Sequence, residues 1–421
     1  MSFDQRFSQI QDLAQAIKAH KEQLMALAAR DLKFTVKDTA YEVDLTMDRL
    51  HLFGQIRDRL KDRRPLGGPG SRVALMLSYN GSAWLNTVIS SCYIVGNQVQ
   101  VKFSSKGSDV RDLMEKVYRP IFGEDITFYH GSGRTFMAEA LKDPEIAAVV
   151  VFGYDGNTLP YQEAFQAGGK KLVFEGPGSD PFIVFADADL DLALSDLANS
   201  KFIYSGQTCT APERIFIHRD IYDEFLARLA DRARSLAVGD PEDEETDVSP
   251  VASDLAVNRI KWYLEDAVLK GAKILAGGKI AGNLVYPTVV RDATDAMLGM
   301  QEEVFGPVAF TTAFDTLEEV LARARNHKYG LRAAVWGGPE AQRAARELKG
   351  EDYCHPVPGY TFGKFGTVSL NEPRSESWKG ALVTKAAGGY GYSGWIWETV
   401  AGRFQIKQGP KLISLETSVP G

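Results

Sequence analysis

Residues 73–103 read VALMLSYNGSAWLNTVISSCYIVGNQVQVKF, and two runs within them, Val73–Leu77 and Gln98–Phe103, have the length and apolar content of strands buried on both faces. Between them, residues 82–95 carry a helical pattern. The alternation continues outward, with Ile126–Tyr129 and Ala147–Phe152 as further buried strands and helical patterns at 107–119 and 134–142. Strands alternating with helices predict a doubly wound α/β sheet, an architecture commonly used to bind nucleotides. A second α/β series starts near residue 178. It holds PFIVF at 181–185, a helix over 189–205, ERIFIH at 213–218, a helix over 220–236 and strands near 273, 308, 333 and 367. Upstream, residues 1–65 read as helices, the first amphipathic with Phe7, Ile10, Leu13 and Ile17 at helical spacing. The last thirty or so residues, including RFQIKQGPKLISLE at 403–416, read as an extended arm returning to one of the two units.

A chain of 421 residues exceeds the roughly 250–300 at which one core stops growing, so at least two domains are expected. Its 44% hydrophobic and 24% charged residues are those of a globular protein. A net charge of −7 offers no general attraction to nucleic acid or an anionic membrane. EDEE at 242–245 reads as a solvated loop. The N-terminus lacks a basic start and apolar signal core, and no stretch approaches the ~18 apolar residues that span a bilayer. Cys92, Cys209 and Cys354 lie too far apart for a disulfide framework or a zinc site, so no metal is expected and a reducing cytoplasm is the simplest location.

Cys209 stands in FIYSGQTCTAPERIFIH. A cysteine acts as a nucleophile only as thiolate, and a pKa of about 8.5 leaves little of it at neutral pH without a partner. For a lone cysteine, a small buried hydrophobe is the ordinary reading, and Cys92 in its apolar helix fits that. The context of Cys209 is different. SGQTC resembles the nucleophile motif of the aldehyde dehydrogenase superfamily, and the likeness continues through GQTCTAPERIFIHRDIYDEFLARL. LVFEGPGSDPFIVFADADLDLAL resembles the segment carrying that family's general base, here Glu175, 34 residues before the cysteine. QEEVFGPV at 301–308, YNGSAW with Asn80 and GNQVQVKFSSK with Lys102 follow the family's order. The resemblance runs from about residue 35 to residue 340 and then weakens.

The resemblance implies a Rossmann-like cofactor domain over 1–177, a catalytic domain over 178–390 and a bridging or oligomerising arm over 391–421. It implies oxidation of an aldehyde to a carboxylic acid with NADP or NAD. Cys209 would form a thiohemiacetal and then a thioester, with Asn80 and the Cys209 N–H as oxyanion donors and Glu175 activating the hydrolytic water. Lys102 would reach the adenosine ribose or a 2′-phosphate, Glu303 the nicotinamide ribose, and Phe305 would flank that ring. Gly153 and Gly156 in VVVFGYDGNTL would let the backbone approach the pyrophosphate, facing a helix N-terminus. NAD-selective members commonly place an acid three positions after the lysine. Here Ser105 and Lys106 stand at that point, so NADP is expected to be accepted.

Departures from the family pattern carry their own expectations. The usual Leu-Gly-Gly-Lys after the base is here Gly176-Pro177-Gly178-Ser179, a stiffer turn beside the expected nicotinamide. The interval between Phe53 and Val73 is short for the family's oligomerisation hairpin, which suggests a homodimer. EDYCHPVPGYTFGKF at 351–365 reads as an insertion, either lining the substrate mouth or forming a surface excursion. Tyr390, Trp395 and Trp397 fit either a substrate tunnel or core packing. Two rival functions are a reductase of acyl-CoA or acyl phosphate, which would lack Glu175, and an inactive relative with a binding role, which would not keep Cys209, Glu175, Asn80, Lys102 and Glu303 together.

Overall fold

A computed structural model of the chain describes residues 1–60, 65–66, 68, 70–350, 364–378 and 388–409. It opens with helices α1 (Phe3–Ala19), α2 (Lys21–Leu32) and α3 (Val36–His51). Ser2 and Gln5 close a capping box on α1, and Thr35 Oγ1 accepts the Asp38 N–H at the start of α3. The chain then alternates: β1 (Arg72–Met76), α4 (Leu85–Ile94), β2 (Gln98–Lys102), α5 (Ser108–Phe122), β3 (Ile126–Phe128), α6 (Gly133–Lys142), β4 (Ile146–Phe152), α7 (Gln162–Gly168) and β5 (Lys171–Glu175). These five strands are parallel, in the order β3-β2-β1-β4-β5. The order reverses at β1, which lies between β2 and β4, and such a reversal opens a crevice at the carboxyl ends of the strands.

A second series follows: β6 (Asp180–Val184), α8 (Leu190–Phe202), β7 (Pro212–His218), α9 (Arg219–Ser235), α10 (Asp254–Leu269), β8 (Lys273–Ala276), the small hairpin β9 (Ile280–Ala281) and β10 (Leu284–Val285), β11 (Thr288–Arg291), β12 (Val308–Phe314) and α11 (Leu317–Arg325). It continues with β13 (Tyr329–Gly330), β14 (Arg332–Trp336), α12 (Pro339–Lys349), β15 (Thr367–Leu370) and α13 (Arg374–Trp378). The second sheet runs β15-β14-β6-β7-β12-β11-β8, parallel except for β8. The chain closes with β16 (Tyr390–Gly391), β17 (Gly394–Val400) and β18 (Arg403–Gln408). β16 pairs with β13, while β17 and β18 form a hairpin that joins the first sheet antiparallel to β5.

Alternation along the strands explains the layering. On β1, Val73 and Leu75 face α1–α5, whereas Ala74 faces α6, α7 and the hairpin. Phe174, Trp395 and Trp397 fill that second layer, the first two with ring centroids 4.1 Å apart. Core packing is therefore the reading that holds for both tryptophans. The arm over 403–408 returns to the sheet of its own chain; the rest of it, residues 410–421, lies outside the described residues, as do 351–363 of the insertion. Among the described residues, no helix is long and apolar enough to cross a membrane.

Candidate active site

The approach to Cys209 is a strained piece of backbone. After α8, Tyr204 (φ 52°), Ser205 (φ 54°) and Gly206 (φ 73°) are left-handed in succession. Two consecutive L-residues in that region cost roughly 1–2 kcal/mol each, and the surrounding structure must hold them there. The Tyr204 N–H donates to Asp38 Oδ2 on α3 at 2.9 Å, and Ser205 Oγ donates to Ser249 O at 2.9 Å. Gln207 ties the next turn, its Nε2 donating to Tyr204 O at 3.1 Å and its Oε1 accepting the Ala252 N–H at 2.9 Å. Gly206 is required on steric grounds as well, because a Cβ there would sit 2.2 Å from Gly306 O.

The crossover from β5 to β6 passes directly against this loop. Glu175 is the last residue of β5, and its buried carboxyl group lies beside the Cys209 side chain. Desolvation lifts Glu175 to about 8. Burial, then the charges of Glu175 and Glu303, hold the Cys209 thiol well above its ordinary range, while Arg374 pulls it down. Gly178 lies so close that a Cβ would come 2.3 Å from Cys209 O. Its N–H donates to Glu303 Oε1 at 3.1 Å, so the loop after the short turn Leu298–Met300 reaches across to the same point. Cys209, Glu175 and Glu303, far apart in sequence, thus converge around the Gly176–Ser179 turn. Pro177 O accepts the Ser393 hydroxyl at 2.5 Å and the Gly176 N–H donates to Ser393 O at 3.1 Å, pinning the turn from the hairpin side. A Cβ on Gly176 would lie 2.7 Å from Tyr392 O, so packing there demands a glycine.

Asn80 follows β1, is buried, and accepts the Ser78 hydroxyl through Oδ1. The turn after it is held by Glu42 of α3, which accepts the Ser82 N–H at 2.8 Å, the Ser82 hydroxyl at 2.6 Å and the Trp84 N–H at 2.9 Å. The Tyr79 ring meets Phe305 edge-on at 6.0 Å, joining the Asn80 turn to the Glu303 loop. Phe305 itself is left-handed at φ 52°. Its N–H and that of Val304 donate to Glu213, which also pairs with the buried Lys201 at 3.3 Å.

Lys102 ends β2, buried, with its ammonium donating to Phe103 O. Ser105 is exposed at the start of a short turn, whereas Lys106 donates to Ala252 O at 2.8 Å and lies 5.7 Å from the centre of the Tyr79 ring. Gly153 follows β4, and a Cβ there would meet nothing within 4 Å. One expectation needs correcting. The segment beyond Gly156 does not enter an α-helix but makes two short turns, Asp155–Asn157 and Leu159–Tyr161, before α7 begins at Gln162. Pro160 and the small residues near it favour tight turns, which displaces the helix start from the crevice.

The arrangement fits a dinucleotide at the carboxyl ends of β1, β2 and β4. The ends of β1 and β4 flank the switch point, open space lies over Gly153, and Asp155 Oδ1 is buried without a hydrogen-bond partner among the described residues. Asp38, Glu42, Glu213 and Arg374 were not singled out from sequence. The first two had a readable signal, acids at i and i+4 on the buried stripe of α3 that also holds Thr46 and Arg49. Glu213 and Arg374 had none, since their partners are remote in sequence.

Comparison with known proteins agrees with this fold. A family model described as the aldehyde dehydrogenase family matches residues 1–394. Bovine 2-aminomuconic semialdehyde dehydrogenase is 32% identical over 298 residues, covering 67% of this chain and 61% of that protein. Sulfoacetaldehyde dehydrogenase from Neptuniibacter caesariensis is 27% identical over 355 residues, 79% of this chain and 76% of that protein. This chain thus spans rather less than two thirds of the bovine relative. A solved structure of betaine aldehyde dehydrogenase from Staphylococcus aureus, in complex with NAD+, superposes with TM-score 0.80 at 25% identity, covering 99% of this chain and 82% of that one. With a family match over nearly its whole length, and a fold shared with solved members, the chain belongs to the aldehyde dehydrogenase family.

Proposed function

We propose that the protein oxidises an aldehyde to its carboxylic acid with NADP or NAD, through a covalent adduct on Cys209 that water hydrolyses. The feature that carries this reading is the placing of Glu175, at the buried end of β5, beside the Cys209 loop, which sets a nucleophile next to a base that burial raises to about 8, near neutrality. Glu175 takes the thiol proton as sulfur attacks the carbonyl carbon. The oxygen becomes an oxyanion, and the Asn80 amide, oriented through its Oδ1 by Ser78, serves as a donor with the Cys209 N–H. The chemistry a bound nicotinamide supplies is hydride acceptance, after which the acyl group remains on Cys209 as a thioester. Glu175 gives the thiol proton up to solvent, then takes a proton from the water that attacks the thioester, and the C–S bond breaks to release the acid and Cys209. A family member acting by thiolysis or phosphorolysis has no need of a base at that position, so Glu175 favours hydrolysis.

For the cofactor, Lys102 and Ser105 at the end of β2 would hold the adenosine ribose, Gly153 and Gly156 would let the backbone approach the phosphates, and Glu303 and Phe305 would hold the nicotinamide ribose and ring. An ammonium and a hydroxyl near a 2′-phosphate suit NADP, with Lys106 leaving Ala252 O to reach it. Two of the similar enzymes named above act on semialdehydes or aldehydes that carry an acid group, and such substrates head the panel to be tested.

The test is a panel of aliphatic, aromatic and acid-bearing aldehydes with NAD or NADP, without CoA or phosphate, followed by reduced-nucleotide absorbance. Steady turnover that disappears in Cys209→Ala and becomes a single burst in Glu175→Gln is expected. Turnover that appears only on adding CoA or phosphate would replace hydrolysis with acyl transfer to those acceptors.

A further inference from the structure

Arg374 stands at the start of the short helix α13, directly after the second sheet's edge strand β15, and only 3% of its surface is exposed. Its Nη2 donates to the hydroxyls of Thr208 at 2.9 Å and Thr210 at 2.5 Å, the two residues that flank Cys209. Nη1 donates to Ser200 O at 2.8 Å, and the Arg374 N–H donates to Asp196 Oδ1 at 2.7 Å. The same guanidinium thus grips the end of α8 and both sides of the cysteine. Behind it lies a small cavity lined in part by Asp180, Asp196, Arg332 and Thr210. We propose that Arg374 is a positioning residue for Cys209: it clamps the two flanking threonines and sets a fixed positive charge facing the sulfur.

Several observations support the clamp over a substrate-binding role. The hydrogen-bonding directions of the guanidinium that are set by Ser200, Thr208 and Thr210 all point into the protein, and the residue is almost wholly covered. The charges around the sulfur are unevenly matched. Glu175, Glu303 and Asp180 all face Cys209 and disfavour a thiolate, and Arg374 is the cation that opposes them. Arg374 in turn faces Arg332, Cys209, Asp180 and Asp196. A buried guanidinium keeps its proton where an ammonium can lose it, so the charge beside the sulfur persists across the working pH range.

The inference rests on Cys209 being the reactive cysteine, but its test needs neither aldehyde nor nucleotide. The rate of iodoacetamide alkylation of Cys209 is followed by peptide mass spectrometry in the full-length protein from pH 6 to 10. In Arg374→Met the alkylation midpoint is expected to move upward by about one unit, roughly a tenfold loss of rate near neutrality. Arg374→Lys, which keeps a charge without the bridge, is expected to hold the midpoint closer to the unaltered protein while lowering the plateau rate. The Thr208→Val, Thr210→Val double variant keeps the guanidinium and is expected to lower the plateau with little change of midpoint; it carries the test should Arg374→Met not fold. An unchanged midpoint in folded Arg374→Met, or an unchanged plateau in the double valine variant, overturns the proposal. So does an effect confined to the KM for aldehyde, which would make Arg374 a substrate ligand. Failure of hydrolytic turnover with these alkylation results intact would instead overturn the dehydrogenase reading.

Discussion

Two contacts with Cys209, from the Glu175 carboxyl and from the Gly178 backbone, set the behaviour of single residues at this site. Glu175 has its pKa raised to about 8 because β5 ends inside the protein, with the hairpin and the β5–β6 turn excluding water. A base must be ionised to act, so the rate of thioester hydrolysis should climb with pH through about 8 and level above it. Stopped-flow or steady-state profiles would reveal this limb, and Glu175→Gln should remove it along with all but about 0.1% of turnover. A profile already flat from pH 6 would remove Glu175 from the proposed role. Gly178 is a second position where one atom matters, since a Cβ there overlaps Cys209 O. Gly178→Ala should lower kcat by about a hundredfold, through displacement of the sulfur by a fraction of an ångström, with alkylation of Cys209 altered in parallel.

At the scale of elements, α3 governs both loops that meet at the site. Asp38 accepts the N–H of left-handed Tyr204 and Glu42 accepts three donors from the turn after Asn80, one helical turn apart on the same face. These four bonds set where two chain segments stop, because most of the partners are buried with no water to replace them. Glu42→Ala should cost about 2–3 kcal/mol and lower kcat more than it raises the KM for nucleotide, whereas Glu42→Gln, which keeps an acceptor, should retain most of the stability. Equal losses in both variants, measured by chemical denaturation, would show that the charge and not the hydrogen bonds holds the turn. The hairpin β17–β18 acts on another element, β5. Trp395 fills the layer against Phe174, the residue before Glu175, and Trp395→Ala should destabilise the first sheet by about 3–5 kcal/mol, read as a lowered Tm.

For the whole molecule, the buried acids make stability depend on pH in a definite direction. Asp38 rises from 3.8 to about 7 and Glu175 from 4.5 to about 8, both through desolvation. Each carboxyl therefore binds a proton in the folded state at pH values where the unfolded chain has released it. The stabilisation is fully present below the unfolded values and is lost as pH rises through the folded ones. Denaturation at pH 6 and pH 8.5 should show the protein weaker at the higher pH by about 1–3 kcal/mol, with a smaller difference in Glu175→Gln. A stability that rises over this interval would mean that ion pairing, not burial, governs these acids.

Much of this was open to reading in one dimension. Most strands of the two sheets, the helices of the first and the N-terminal helical layer follow from periodicity, a local property of the chain, whereas β11, the β17–β18 hairpin and helices α10 to α12 were not read from it. Cys209 and Glu175 were legible because short motifs surround them, and the structure sets the two side by side. The turn at Gly153 and Gly156 was expected to face a helix N-terminus, but residues 155–161 make two short turns before α7 begins. Only the tertiary structure decided which remote groups hold the site in place. Asp38 meets Tyr204 across 166 positions of sequence, and Arg374 meets Thr208 across the same interval. Sequence by itself thus pointed to most of the α/β elements and to the pair proposed to react, because local pattern and short motif encode them. Folding decided the rest: the buried charge around the sulfur and the clamp on its loop arise when the ends of two sheets and one helix exclude water from the same small volume.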